Sequence, residues 1–134
     1  MSTSLELGLI GNCQVSALID ADGRMVWGCM PRLDSEPVFS ALVDGEADRG
    51  FFAIELAACE HRKQYYERNT AILRTELHDT HGNAIRITDF APRFAQFGRR
   101  FRPTMFIRRI DVLAGSPVVT LRLRPVSAYG SGSV

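Results

Sequence analysis

The sequence predicts an all-β fold, an antiparallel β-sandwich with at most one short helix. Three observations carry this. Roughly eight or nine short apolar runs recur about every ten residues. Several of them alternate apolar and polar positions, and Gly, Asn, Asp or Pro clusters part them. At 134 residues the chain is one domain's worth, able to bury roughly two thirds of its unfolded surface.

Leu5 to Ile10 and Gln14 to Asp20 read as the first two strands, separated by the turn signal Gly11-Asn12. Ala21-Asp22-Gly23 closes a hairpin into Met25–Cys29, with Gly23 free to take a positive φ. Val26 and the only tryptophan, Trp27, are adjacent, so they should point to opposite faces, Trp27 toward the core. Pro31 stops this strand because it has no N–H to donate. Arg32-Leu33-Asp34-Ser35 then forms a polar loop at a strand end, where β scaffolds present recognition groups. Pro37 to Val43 is the one helical signal, with Ser35 as N-cap, Glu36 and Pro37 in the first turn and Gly45 after its end.

Gly50 to Ala57 resumes an extended apolar run, and Arg62 to Glu67, with Tyr65 and Tyr66, suits an edge or surface strand. Ala71 to His78 sets Leu73, Thr75 and Leu77 against Arg74 and Glu76, as a half-buried strand does. His78 to Asn83 is a turn, and Ala84 to Ala91 alternates again. Pro92 to Pro103, rich in Arg and Phe, reads as a loop. Thr104 to Leu113 and Val119 to Arg124 complete the strands, joined by Ala114-Gly115-Ser116-Pro117. There is no internal repeat and no low-complexity linker before Ser131-Gly132-Ser133.

Sixteen basic against fifteen acidic side chains give no bulk charge to attract nucleic acid or an anionic membrane. No apolar run approaches the ~18 residues needed to cross a bilayer, and Met1 to Ser4 carries no secretory pattern. Cys13, Cys29 and Cys59 are an odd set without Cys-x-x-Cys spacing. They read as free thiols of a cytoplasmic protein, with no zinc site; a Cys13–Cys29 bridge is the alternative.

Four constellations could carry chemistry. Trp27 with Arg32 and Asp34 offers an apolar ring face and forked donors to a sugar; the plainer reading buries Trp27 and pairs Arg32 with Asp34 to fix the loop. Asp34, Glu36 and Asp89 are candidate carboxylates for an inverting glycosidase, whose pair stands roughly 6.5–9.5 Å apart, but no spacing sets two across a cleft. His78, Asp79 and His81 could hold a metal ion, although a hairpin tip favours solvated polar groups. Arg93, Arg99, Arg100, Arg102, Arg108 and Arg109 interleave with Phe94, Phe97, Phe101 and Phe106. That mixture can bind single strands, yet the balanced net charge favours phenylalanines docked on the sandwich or on a partner domain. No motif calls for a cofactor.

The segment "LGLIGNCQVSALIDADGRMVWGCMPRLDS" resembles the opening of the N-terminal domain of bacterial and archaeal glycoside hydrolase family 15 proteins. These are the glucoamylase-like, glucodextranase-like and trehalase-like enzymes. "YERNTAILRTELHDTHGNAIRITDFAPR" and "RRIDVLAGSPVVTLRLRPVSAYG" continue the likeness in the same order, so it spans about Leu5 to Gly130. The chain departs from the family's usual Gly-Asp-Cys at Gly11-Asn12-Cys13. It has Leu33 where the family has Phe, and Ser127-Ala128-Tyr129-Gly130 where the family has an aromatic-Asp-Tyr-Gly ending.

The resemblance implies that residues 1–134 are a truncated N-terminal part of a larger β super-sandwich, without the α/α-barrel that holds the catalytic glutamates. It implies a non-catalytic structural and interaction module whose intact parent hydrolyses an α-glucosidic bond. The alternative is a carbohydrate-binding module using Trp27 and the Arg32–Asp34 loop to contact an α-glucan or trehalose. A third reading, an independent hydrolase, would need the carboxylates named above. Strands lacking neighbours should also expose open edges and favour a homo-oligomer.

Overall fold

The structure is a computed structural model and describes residues 6–44 and 49–127. Gly45 and the segment 128–134, with Ala128-Tyr129-Gly130 and the Ser-Gly-Ser run, lie outside the described residues. The strands are β1 Leu7–Gly11, β2 Ser16–Asp20, β3 Met25–Cys29, β4 Pro37–Phe39, β5 Phe51–Leu56 and β6 Cys59–Tyr66. They continue with β7 Leu73–Asp79, β8 Ala84–Phe90, β9 Phe94–Gln96, β10 Arg99–Phe101, β11 Ile107–Ala114 and β12 Val119–Arg124. One helical turn, α1 Ala41–Asp44, follows β4. The all-β, antiparallel expectation holds.

Sheet one has the order β1-β2-β3-β5-β12, with β4 added to β3. Sheet two has the order β11-β8-β7-β6, so β6 is an edge strand as its polarity suggested. Between them lie two apolar clusters. Ile10, Ala17, Ile19, Met25 and Phe39 of sheet one meet Leu73 of sheet two. Ile54 and Leu56 meet Leu77, Ile85 and Ile87. On the outer face of sheet one, α1 covers Val26, Phe51 and Ala53 through Ala41 and Leu42.

Three local expectations are corrected. Pro37–Phe39 is a strand, and the helix is only the four residues Ala41–Asp44 beyond it. The β-branched Val38 and Phe39 pack against the first core cluster, which outweighs the capping signal upstream. The segment 92–103 contains the hairpin β9–β10, not a plain loop. Trp27 does not take the core position. A bulge leaves Val26 unpaired between Met25, opposite Ile19, and Trp27, opposite Leu18. Met25 therefore fills the core, Val26 is buried under α1, and Trp27 stays half-buried on the outer face beside Leu18.

A guanidinium crosses the gap between the sheets. Arg108 on β11 stands directly opposite Asp89 on β8, with its side chain only 3% exposed and that of Asp89 fully enclosed. Its Nε and Nη2 donate to the two Asp89 oxygens at 2.7 and 3.2 Å. Nη1 donates to the Phe52 carbonyl of β5 at 2.7 Å, and Nη2 also reaches the Gly23 carbonyl of the β2–β3 turn. The Phe52 ring lies beneath, 4.9 Å from the guanidinium carbon. Gly23 has φ of 82°, and a Cβ there would stand 3.1 Å from the Ile87 methyl, so a glycine lets the turn descend onto sheet two. Burial pushes the Asp89 carboxyl above its usual pKa, against the pull of Arg108.

The two margins of the sandwich differ. At one, the Tyr66 hydroxyl of β6 accepts from the Leu9 N–H at 2.7 Å and donates to the Leu9 carbonyl at 2.8 Å, binding the free edge of β1. The opposite strands are bare. Ile110 and Val112 of β11 pair with the core residues Ile87 and Ile85, and Leu121 and Leu123 of β12 pair with Ile54 and Phe52. Register thus turns all four inward, yet Val112 is 61% and Leu121 59% exposed.

Replacing Asp89 by Ala strands the buried Arg108 charge and should cost about 3–5 kcal/mol of stability. Urea unfolding of D89A measures this, and a loss below about 1 kcal/mol would contradict the clamp.

Candidate functional site

The loop after β3 is built by its own polar groups. The Arg32 N–H donates to Ser35 Oγ at 3.0 Å, and the Ser35 N–H donates to the Arg32 carbonyl at 3.1 Å. Ser35 thus closes this turn instead of capping a helix. The turn holds Arg32 and Asp34 outward, with Nη2 3.0 Å from Oδ2 and the side chains 67% and 72% exposed. A pair so exposed contributes at most about 1 kcal/mol, so it orients the loop without holding the fold. Gln14 Nε2 donates to the Pro31 carbonyl at 3.0 Å and ties the loop to the β1–β2 turn.

Between loop and turn lies a depression of about 220 Å³, lined by Cys13, Gln14, Arg32, Leu33 and Asp34. A forked donor, a carboxylate and an amide converge there, the groups that recognise paired hydroxyls. The structure brings Arg32 and Asp34 together at this depression. Trp27 does not line it.

Beneath the loop, Asn12 uses both ends of its amide. Oδ1 accepts from the N–H groups of Gln14 and Val15 at 2.9 and 3.0 Å. Nδ2 donates to the carbonyls of Pro92 and Pro103, each at 2.9 Å. One buried side chain therefore gathers the β1–β2 turn and both ends of the segment 92–103. A carboxylate in its place would have no donor for those carbonyls. In the sequence Asn12 reads only as part of a turn signal; its departure from the resembled pattern is the signal that could have found this role.

The remaining candidates separate. Asp34 and Glu36 are exposed, whereas Asp89 is enclosed against Arg108 and does not face solvent. The Asp79 carboxylate accepts from the His81 and Asn83 N–H groups at 2.8 Å and from Asn83 Nδ2 at 2.7 Å. Burial works against that charge, but these bonds outweigh it and hold its pKa below the usual carboxylate value. Asp79 is thus spent on the turn, and no metal-binding cluster occurs among the described residues. All three cysteines are free, Cys13 exposed, Cys29 buried and Cys59 between the two. No helix among the described residues is long and apolar enough to cross a membrane.

Comparison with known proteins gives a family match over residues 2–134, to the family described as "Trehalase-like, N-terminal". A trehalase of Thermoplasma volcanium is 30% identical over 125 residues, covering 92% of this chain and 20% of that protein. A trehalase of Thermoplasma acidophilum is 29% identical over 116 residues, covering 85% and 19%. Trehalase 2 of Sulfolobus acidocaldarius is 36% identical over 78 residues, covering 58% and 13%. The chain thus spans at most about a fifth of these relatives' length. No solved structure matches it significantly.

The Asn12 amide generates a prediction with a pH signature. Asn12→Asp should lose about 1–3 kcal/mol at neutral pH, because a carboxylate would face two carbonyls. The loss should shrink in acid, where the protonated carboxyl regains one donor. Urea unfolding at both pH values checks this, and equal losses at the two would contradict the assignment.

Proposed function

The chain belongs to the trehalase-like N-terminal family, and on that premise we propose that it is a non-catalytic structural and interaction domain of a longer glycoside hydrolase. The intact protein would cleave an α-glucosidic bond, trehalose first among the substrates, with its catalytic carboxylates on an α/α-barrel supplied by the rest of the polypeptide, as in glycoside hydrolase family 15. The free thiols favour a reducing, cytoplasmic setting. Residues 1–134 would then be one part of a larger β-sandwich domain.

The bare margin carries this reading. Inward-facing Ile110, Val112, Leu121 and Leu123 are exposed on the last strands of both sheets. A folded monomer rarely leaves a contiguous apolar margin uncovered. Further strands of the same polypeptide would cover these side chains and pair with the free edges of β11 and β12. With the rest of the polypeptide absent, a second copy is the substitute, which keeps the expectation of a homo-oligomer.

A second reading rests on the depression beside Arg32 and Asp34. There the loop would touch sugar, or face the barrel's substrate entrance, with Trp27 as a more distant apolar platform. The two readings part in one experiment. The full-length protein should release glucose from trehalose while residues 1–134 alone release none and show no saturable binding of trehalose or maltooligosaccharides. Turnover by the short chain would overturn the module reading, and saturable binding lost in Arg32→Ala would favour the carbohydrate-binding one.

A further inference from the structure

The hairpin β9–β10 is a separate two-stranded sheet whose residues are all exposed. Its register, Gln96 opposite Arg99, leaves a two-residue turn, Phe97-Gly98, with φ of 51° and 71°. Such turns take Asn, Asp or Gly at the first central position, where a bulky side chain is strained. Here a phenylalanine sits there, 88% exposed at the very tip. Behind it Phe94 and Phe101 stack across the hairpin with ring centroids 5.4 Å apart, and both are exposed.

An isolated hairpin is marginal in water. This one carries a strained turn and exposed rings that its own fold does not use. The charge is equally one-sided, since no Asp or Glu occurs between Asp89 and Asp111. Arg108 is held by Asp89 and Arg109 by Asp111. Arg93, Arg99, Arg100 and Arg102 make no ion pair among the described residues.

We infer that β9–β10 is a docking arm that seats Phe97 in an apolar pocket, rimmed by carboxylates, on the remaining part of the full-length polypeptide. The inference rests on the reading of this chain as a domain of a longer enzyme. The relatives' length supplies the occupant: about four fifths of each lies outside the match, a partner that the same polypeptide tethers beside this domain at high effective concentration. The arm's charge supplies the complementarity, because four arginines without acidic neighbours suit an acidic rim. An exposed aromatic tip flanked by arginines also has the composition of an interface anchor.

Hydrogen exchange on the full-length protein tests this. Peptides covering Phe94–Phe101 should exchange at least tenfold more slowly than an unstructured segment, at a rate independent of protein concentration. Phe97→Asn relieves the turn, since Asn tolerates positive φ, but removes the ring; exchange across the arm should rise about tenfold or more. Arg99→Glu with Arg100→Glu should do the same. Fast exchange in the unaltered protein, or protection kept or improved by Phe97→Asn, would overturn the inference. Protection that grows with protein concentration, or appears only with a single-stranded oligonucleotide, would assign the arm to a second copy or to nucleic acid and overturn it too. Mass and glucose release of the same preparation report separately on the longer-enzyme reading, so either conclusion can fail alone.

Discussion

The whole sandwich is registered by the Arg108 guanidinium. Its donors are shared between Asp89, the Phe52 carbonyl and the Gly23 carbonyl, so β8, β11, β5 and the β2–β3 turn meet at one side chain. Taking two charges out of water costs several kcal/mol per ion. That cost is offset only where the remaining donors are satisfied, as they are here by backbone of the opposite sheet. An apolar pair of similar volume would fill the space without fixing where β5 and the turn sit on sheet two. The interaction therefore specifies alignment more than it adds stability.

With that alignment set, the two margins acquire opposite characters. Tyr66 binds the main chain of β1, and Gln64 Nε2 donates to the Asp20 carbonyl at 2.9 Å and to Thr75 Oγ1 at 3.1 Å. Those bonds finish one side. On β11 and β12 the inward leucines, isoleucine and valine meet no such cover. Three polar side chains of the candidate sites serve local structure: Ser35 folds its loop, buried Asn12 gathers three segments and Asp79 shapes a turn. Such local use of polar side chains fits the scaffold role proposed above.

Much of the fold was legible because burial writes alternation into a strand. Leu73, Thr75 and Leu77 against Arg74 and Glu76 placed β7 to within two residues at each end, and Gly23 marked its turn. Asp89 and Arg108 were not recognisable as partners, since antiparallel register, not sequence distance, sets them opposite. Trp27 was misplaced because a bulge adds one residue and cancels the rule that neighbours face apart. Pro37 and Ser35 imitate a helix start, and only the core contact of Phe39 decides otherwise. The hairpin 94–101 had no alternation to read, because neither of its faces is buried. In the candidate site, Arg32 and Asp34 were found as a pair, whereas the supporting amides of Gln14 and Asn12 depend on contacts far along the chain.

The open margin, on the proposed reading, is covered by the rest of a longer polypeptide, which would shield Leu121. Leu121→Cys in the full-length protein, pulse-labelled with iodoacetamide and located by peptide mass, tests it directly. A covered margin should label many-fold more slowly than the same protein unfolded in urea. Labelling as fast as in the unfolded protein would contradict it, and the margin would then be a surface in its own right.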